Sequence, residues 1–515
     1  MLPVTIQNYR TSKAERLRFA FAFVAQTFIQ VLTTVYLSFL SQDLQACFDV
    51  TCTTIRALAT GKSDAEAEPG SLSRVAAELP EDIRERGLTK VLEQLQRVSG
   101  ADSQDFMHRI FAELVHVKRD AMLLSLPAAM LEPYLVSKSA LTTAQQGGVL
   151  TPDEARHLDL LAQLYAARSL FGLAAQVDCS LAERRCANDE TFTLDQRMAL
   201  FERALMHARK SVDGGNNGLD MSFSENVDSK IKLLDMQRRV LGVCVERSRQ
   251  ARVAGSGNAP EEAYVYELER ELKQLSDLYN DFAKPCEMWD ICLEMVHFAQ
   301  YHDPDGEIAC DLWDKLLLQA SDRAPSATTC LREACIAVRA LGVKLFPSDV
   351  AFPVVHVALR LELMAAGLWG VPDVAVEAHG DDDFDTGEVA DALVIACKGL
   401  AEPVQRAYDR LLATPAQRMH DKRLSKVDAL QTPRLRLRLL RSVFFVLQLW
   451  DQSLVPKSTA YGAYATGGHV RAAIGDLCVS YASECRRMQY NNERARAETE
   501  ELAAAFDTFG RRLLS

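Results

Sequence analysis

Apolar residues recur at helical spacing along most of this chain, and this pattern restricts the fold more than any single motif does. Between residues 265 and 282 the apolar positions fall at alternating steps of three and four, while charged residues occupy the other faces. No alternating apolar–polar pattern long enough for a useful β-strand is present. We therefore predict an all-α protein, with one continuous helix through this stretch. Its apolar positions are Val265, Leu268, Leu272, Leu275, Tyr279 and Phe282.

Helix starts are marked by capping residues at several places. One such start is predicted at Thr151, which is suited to be an N-cap, with Pro152 in the first helical position. Glu154 can accept a hydrogen bond from the N-cap amide and complete a capping box. Such signals predict where helices begin even when the apolar pattern is ambiguous. Further starts of this kind are Thr193 with Gln196, Thr414 with Pro415 and Gln417, Thr432-Pro433 and Asp303-Pro304.

Glycine-rich and polar breakers separate these helices at irregular intervals. They leave room for roughly fifteen to twenty helices of ordinary length, and no fixed-period repeat is visible. An irregular α-solenoid of stacked antiparallel helix pairs is the natural way to pack such a succession. We predict a single α-solenoid over residues 1–515, with possible sub-blocks 1–60, 71–212, 225–378 and 388–515 separated by flexible loops.

Bulk composition limits the partners and the compartment. The chain has 515 residues and a formal net charge of -12, which argues against direct binding to nucleic acid because phosphate contacts need an excess of Lys and Arg. Its 13 cysteines are scattered without paired spacing. This pattern predicts reduced thiols in the cytosol or nucleus.

One uncharged segment, Phe19 to Gln42, has the length of a membrane-spanning helix and follows three basic residues. Gln, Thr and Ser residues interrupt it every few positions, which lowers its mean hydropathy. A helix buried on most sides in an all-α protein gives the same pattern. We favour that interpretation and predict no transmembrane span.

Four potential zinc ligands, Cys286, Cys292, His297 and His302, lie within seventeen residues. Pro285 is predicted to begin a helix, which would place Cys286 and His297 roughly 16 Å apart along its axis. Cys292 would point about 140° away from His297 around that axis. These positions cannot surround one tetrahedral metal. We predict buried thiols and partly buried histidines instead of a zinc site.

Two acidic segments imitate metal-binding motifs. Asp381, Asp382 and Asp385 have the DDxxD spacing with which isoprenoid synthases hold magnesium, but the run lies between glycines and lacks the second motif downstream. Asp303, Asp305 and Glu307 resemble half of a calcium loop, but no glutamate closes it at the twelfth position. We predict a solvated loop and helix capping, respectively. Because no other catalytic signature is present, we assign no catalytic, cofactor-binding or metal-binding residues.

A basic stripe is formed by Arg434, Arg438 and Arg441, which would share one face of a helix. Such a stripe could dock an acidic peptide or an anionic membrane. The spacing is also typical of a solvated arginine face on an ordinary amphipathic core helix, and we favour that interpretation.

Four segments resemble the carboxy-terminal solenoid of the large inner-ring scaffold nucleoporins, the one-fifty-five or one-seventy kilodalton class, which join a β-propeller to an α-solenoid. The resemblance extends best from Thr89 to Pro347, is moderate to Pro372 and is weak beyond. The segments are MLEPYLVSKS from Met130, RHLDLLAQLYAARSLFGLAAQV from Arg156, TLDQRMALFERALMHARKS from Thr193 and LERELKQLSDLYNDFAKPCEMWDICLEMVHFAQYHDP from Leu268.

This resemblance implies a structural role without catalysis in the inner ring of the nuclear pore complex, at the nuclear envelope. It implies partners among other nucleoporins, chiefly disordered linker segments and inner-ring scaffold members, with membrane association only indirect. No propeller is visible in this sequence, so we expect a carboxy-terminal fragment. Partner-binding residues stay unassigned. A solenoid adaptor or coat subunit of vesicle traffic is the alternative, and an isoprenoid-type enzyme is a distant third.

Overall fold

The structure of the chain is a computed structural model. It describes residues 44–61, 81, 84–89, 92, 104–139, 149–185, 192–213, 221–253, 260–301, 303, 306–322, 326–370, 386–418, 424, 427–454, 464–488 and 493–514. The described residues form helices and connecting turns, and none of them lies in a β-strand. Segment 19–42 and the acidic run 381–385 lie outside the described residues.

The amino-terminal half of the described chain contains helices of very different length, separated by turns. In chain order they are α1 (Leu44–Thr60), α2 (Gln104–His116), α3 (Asp120–Leu124), α4 (Ala128–Lys138), α5 (Pro152–Ala167), α6 (Phe171–Glu183), α7 (Leu194–Asp213), α8 (Met221–Val253) and α9 (Pro260–Arg270).

The carboxy-terminal half continues in the same manner. It contains α10 (Leu275–Asp277), a π-helical turn (Leu278–Ala283), α11 (Trp289–Ala299), α12 (Glu307–Asp322), α13 (Ala327–Leu345), α14 (Val354–Ala365), α15 (Thr386–Ala396), α16 (Ala401–Leu412), α17 (Pro415–Arg418), a 3₁₀ turn (Asp428–Gln431), α18 (Pro433–Ser453), α19 (Tyr464–Arg487) and α20 (Glu493–Leu514).

The helix starts predicted at Thr151, Thr193, Thr414 and Thr432 are confirmed, because a helix begins at the next residue in each case, whereas the helix after Asp303 begins only at Glu307. At α5 the Thr151 hydroxyl accepts from the Glu154 amide and Glu154 accepts from the Thr151 amide at 2.7 Å, a reciprocal capping box. The Thr193 and Gln196 pair repeats this geometry at α7. Asp303 accepts from the Ile308 amide at 2.8 Å, so its carboxylate acts as a helix cap, as predicted.

The chain divides into two compact units. The first comprises Met1–Arg238 with Val265–Leu272, and the second comprises Arg239–Tyr264 with Lys273–Ser515. Within the first unit α5, α6 and α7 pack in chain order as antiparallel neighbours. The sub-blocks predicted from sequence stay a prediction, because their loops fall largely outside the described residues.

Helices of the second unit pack in two layers. Helices α11, α13, α15 and α18 are successive neighbours in one layer, and α12, α14 and α16 form the other. Helices α13 and α15 run parallel: Arg339 of α13 pairs with Asp391 of α15, and Lys398, just past the end of α15, donates to the carbonyl of Phe346, just past the end of α13. Successive antiparallel pairs produce this arrangement when each pair stacks on the previous one.

The prediction of one continuous helix over residues 265–282 is wrong. Helix α9 ends at Arg270, and a separate short helix and π-helical turn follow from Leu275. The Gln237 side chain of α8 donates to the Leu268 and Glu271 carbonyls, and Arg197 of α7 donates to the Arg270 carbonyl at 3.3 Å. These tertiary hydrogen bonds satisfy the last carbonyls of α9 and so stabilise a helix end at a place without glycine or proline.

Arg197 is fully buried and binds two helix ends at once. Besides the Arg270 carbonyl, its guanidinium donates to the Ala182 carbonyl and, at 2.9 Å, to the Arg184 carbonyl. A cation at the carboxyl end of a helix is favourable because the last carbonyls carry partial negative charge. The carboxyl ends of α6 and α9 are therefore held by one side chain.

Helices α13 and α15 approach closely at Gly342. A Cβ added there would lie 2.5 Å from the Ala396 Cβ and 3.1 Å from the Phe352 ring. Gly342→Ala should therefore push the two helices apart and lower the free energy of unfolding by about 1–3 kcal/mol. Urea unfolding followed by circular dichroism measures this change.

A matched control is available on α8. Gly242 is also helical and exposed, and a Cβ there would meet nothing within 4 Å. Gly242→Ala should raise the free energy of unfolding by about 0.5–1 kcal/mol. Equal effects of the two substitutions would contradict the close approach at Gly342.

Candidate interaction surface

Three of the four residues that were considered as zinc ligands and rejected lie on a turn and a helix whose boundary differs from the predicted one. Helix α11 begins at Trp289 and not at Pro285, so the predicted helix start is wrong. Cys286 lies in the preceding turn, where Glu287 adopts a left-handed backbone conformation with φ of 53°. This turn ends the π-helical segment and redirects the chain before α11.

Cys286 and Cys292 are buried, as predicted. The Cys286 sulfur lies 4.0 Å from that of Cys244, and burial raises the pKa of the Cys292 thiol to about 12. His297 is half-buried on α11, and His302 lies outside the described residues. Within the described ranges, no three His, Cys, Asp or Glu side chains are grouped so that they could hold a metal ion.

The interpretation of the arginine stripe on α18 as a solvated face is wrong for Arg438 and holds only in part for Arg441, whose side chain is 24% exposed. Arg438 is buried and its Nε donates to Glu362 Oε2 of α14 at 2.8 Å. Arg441 donates to Glu498 of α20 at 2.9 Å. Arg434 is exposed. Arg438 and Arg441 already pair with carboxylates within the second unit. The stripe therefore does not present a row of available cations to an acidic peptide or a membrane.

The Glu362 site is a buried polar network. Glu362 is 0% exposed, and Tyr408 of α16 donates its hydroxyl to Glu362 Oε1 at 2.6 Å. Burial and the adjacent carboxylate hold the pKa of Tyr408 well above its usual value, so the hydroxyl stays a donor. The network joins α14, α16 and α18 and is structural.

A second buried network joins α5, α6 and α7 in the first unit. Asp178 is fully buried, accepts from Arg203 at 2.6 Å and lies 3.1 Å from His207 Nδ1. Arg203 also contacts Asp159 of α5. Burial raises the pKa of Asp178, and burial lowers the pKa of His207 although the carboxylate opposes this.

The low pKa of His207 predicts a pH dependence of stability. Below about pH 6.5 the unfolded chain binds a proton at this residue more readily than the folded chain does, so acidification lowers the free energy of unfolding. In His207→Asn this contribution is absent. The stability difference between wild type and this variant should therefore shrink from pH 7.5 to pH 5.5 in urea titrations. A difference that stays constant or widens would contradict the lowered pKa.

An exposed apolar row lies on the outer face of α13, and we call it the α13 stripe: Ile336, Ala340 and Val343. Ile336 is 47% exposed and Val343 is 40% exposed. The opposite face of the same helix is fully used by the core, through Leu331, Ala334, Val338, Leu341 and Leu345. The α13 stripe is therefore separate from the apolar face with which this amphipathic helix packs against the core.

Helix α15 extends this apolar surface. Asp391 pairs with Arg339 at 2.9 Å, and Ala396 lies against Gly342. In this parallel register Ile395, one turn beyond Asp391, is level with Val343. Ile395 is 41% exposed, although most other residues of α15 are buried. Two neighbouring helices thus contribute exposed aliphatic side chains to one surface.

Ion pairs border the stripe on both sides, so charged groups surround an apolar centre. On the α15 side the pairs are Arg332–Glu388 at 4.0 Å and Arg339–Asp391 at 2.9 Å, and on the α11 side Lys344 donates to Glu294 at 2.9 Å. Each of these three cations faces a carboxylate, and the exposed Glu333 of α13 adds a negative charge beside the stripe. An apolar centre with a polar border is the usual anatomy of a protein–protein interface.

Sequence reasoning missed this surface. A helical wheel of α13 separates Ile336, Ala340 and Val343 from the core positions, and this was the available signal. Which flank each neighbouring helix covers depends on α11 and α15, and helical spacing contains no such information.

Comparison with known proteins identifies the family. The sequence profile of the non-repetitive/WGA-negative nucleoporin C-terminal family matches residues 37–395, more than half of the chain. The chain belongs to this family. The predicted resemblance, which was best between Thr89 and Pro347, is confirmed and extends farther in both directions.

Two curated relatives are nucleoporins of much greater length. Nucleoporin NUP170 of Chaetomium thermophilum is 27% identical over 224 residues, which are 42% of this chain and 14% of the relative. Nuclear pore complex protein Nup154 of Drosophila melanogaster is 25% identical over 214 residues, 41% of this chain and 14% of the relative. The matched region thus spans about one seventh of the length of either relative.

Solved structures of the Nup170 C-terminal domain from C. thermophilum share the fold. The domain alone superposes with a TM-score of 0.58 at 15% identity, over 98% of this chain and 93% of that one. The same domain in complex with Nup145N gives a TM-score of 0.54 at 17% identity, over 98% and 96%. The predicted all-α solenoid of stacked antiparallel helix pairs is therefore confirmed.

Family membership also decides between the predicted classes of protein. The relatives are structural nucleoporins of the nuclear pore complex, at the nuclear envelope, and the family is not enzymatic. The prediction of a nucleoporin is confirmed, and the alternative of a vesicle-coat subunit is not favoured. Across the described ranges, the helices lack the combination of length and hydropathy that a membrane crossing requires.

Proposed function

We propose that this chain is a structural scaffold of the inner ring of the nuclear pore complex, where it binds other nucleoporins and supports transport between nucleus and cytoplasm. The observation that carries the proposal is the likeness, over 98% of the chain, to a solenoid solved in complex with Nup145N. We further propose that the partners are chiefly disordered linker segments and scaffold members, that membrane association is indirect, and that nucleic acid is not bound directly.

The architecture supports this function on physical grounds. Stacked helix pairs expose ridges and shallow grooves over a long surface, and a disordered segment can lay apolar side chains into them as it orders. Such contacts are distributed over many residues. The formal net charge of -12 suits a neutral or basic partner segment better than an acidic one.

An affinity pull-down from nuclear-envelope extract tests the function, with the purified chain as bait and mass spectrometry as the readout. We expect linker and inner-ring nucleoporins to exceed a control resin that carries an unrelated all-α protein. Recovery of coat or tethering proteins in their place would contradict the nuclear-pore assignment. An eluate indistinguishable from the control would contradict the proposal that this part of the protein binds partners.

A further inference from the structure

We propose that the α13 stripe, together with Ile395, is the surface on which a short aliphatic segment of a linker nucleoporin docks. This inference rests on the proposed function and adds a location and a binding chemistry to it. The supporting observations are the exposure of the stripe, its extension by α15, and the pairing of the cations along its border.

Two large aliphatic side chains of the stripe are exposed on one face of the helix. Ile336 and Val343 lie on one face two turns apart, about 10 Å along the axis, and Ala340 lies between them. A small residue between two larger ones leaves a depression into which a partner side chain fits. Isolated exposed aliphatic residues are common on protein surfaces, whereas adjacent exposed aliphatic residues on two helices indicate a contact surface.

The charged border of the stripe restricts which partner segments can bind there. Arg332 and Lys344 remain more than half exposed while each faces a carboxylate. A partner segment with a strong net charge would therefore find its opposite charges on the border already paired, and would be repelled by the border charges of its own sign. An aliphatic segment with little net charge fits best, since its side chains occupy the centre while the border pairs remain intact.

The matched solenoid indicates the kind of occupant. That domain was solved in complex with Nup145N, another nucleoporin, and it covers 98% of the present chain. We therefore assign the surface to a nucleoporin segment. A second copy of this chain is the competing occupant that the experiment has to distinguish.

A fluorescence-anisotropy titration of the full chain tests the assignment, with the labelled Nup145N homologue of the same organism as probe. The double variant Ile336→Glu with Val343→Glu introduces two charges into the apolar centre, and we expect at least a tenfold weaker affinity. Ile336→Leu keeps the aliphatic contact and should change the affinity less than threefold. Because both positions are exposed, the double variant should keep the melting temperature of wild type.

Val479→Glu is the matched control, since Val479 is 61% exposed on α19 and should tolerate the charge without loss of affinity. Wild-type binding that the double variant leaves unchanged would overturn the docking surface while leaving the proposed function in place. A probe that does not bind wild type would overturn both. Light scattering could instead show that wild type and Val479→Glu are dimers while the double variant is a monomer. This result would assign the surface to a second copy of the chain and overturn the inference.

Discussion

Glu362→Leu is expected to lower the free energy of unfolding by about 3–5 kcal/mol, because it leaves the buried Arg438 guanidinium without its carboxylate. Glu362 of α14 is fully buried, and its Oε2 lies 2.8 Å from Nε of Arg438 on α18. The substitution also removes the acceptor of the buried Tyr408 hydroxyl, which adds the cost of an unsatisfied donor. Urea titration followed by circular dichroism gives the change as a shift of the unfolding midpoint.

Two further variants separate charge from packing. Combining Glu362→Leu with Arg438→Met replaces the ion pair by apolar side chains, and such replacements are often neutral or stabilising. The double variant should therefore recover most of the stability that the single variant loses. Arg434→Ala, at the exposed end of the same arginine stripe, should change stability by less than about 0.5 kcal/mol. Additive losses in the double variant would contradict a coupled pair.

Arg197→Met is the second substitution with a large expected effect. Arg197 is fully buried and donates to the Ala182, Arg184 and Arg270 carbonyls. Methionine fills much of the volume of the arginine side chain but cannot donate to these carbonyls. Each carbonyl that stays buried and unsatisfied costs about 1–3 kcal/mol of stability. We expect a total loss of about 3–5 kcal/mol, and hydrogen exchange should become faster at the ends of α6 and α9.

Arg185 provides the control for this experiment. It lies beside the same helix end, but its side chain is 62% exposed and pairs with Glu271 at 2.9 Å. Exposed ion pairs contribute little, so Arg185→Met should cost less than about 1 kcal/mol. Equal losses for both variants would contradict the large stabilisation that is assigned here to the carbonyls bound by Arg197.

Local signals predicted the features that depend on a few neighbouring residues. The capping boxes at Thr151 and Thr193 lie where the sequence placed them, because a cap and its partner are only three residues apart. The ordered helix-pair segments likewise predicted the family, although none of them contains a catalytic or ligand motif.

Features that depend on distant residues could not be predicted in this way. The end of α9 depends on Gln237 and Arg197, which are 31 and 73 positions from the carbonyls they bind. The burial of Arg438 depends on Glu362, 76 positions away. Helical spacing placed Arg438 on a face but contained no information about which helix covers that face. The same limit concealed the α13 stripe, whose border is formed by residues of α11 and α15.

Isothermal titration calorimetry on purified components tests most directly whether this chain binds another nucleoporin. The chain is titrated with the unlabelled Nup145N homologue of the same organism, at physiological salt and without detergent. We expect a saturable one-to-one complex with a Kd of about 1 μM or tighter, equivalent to a binding free energy of about -8 kcal/mol or more favourable. At a free partner concentration of about 100 μM, even a complex with a binding free energy near -5.5 kcal/mol would be half formed. If no saturable binding is seen at such concentrations, direct binding is contradicted.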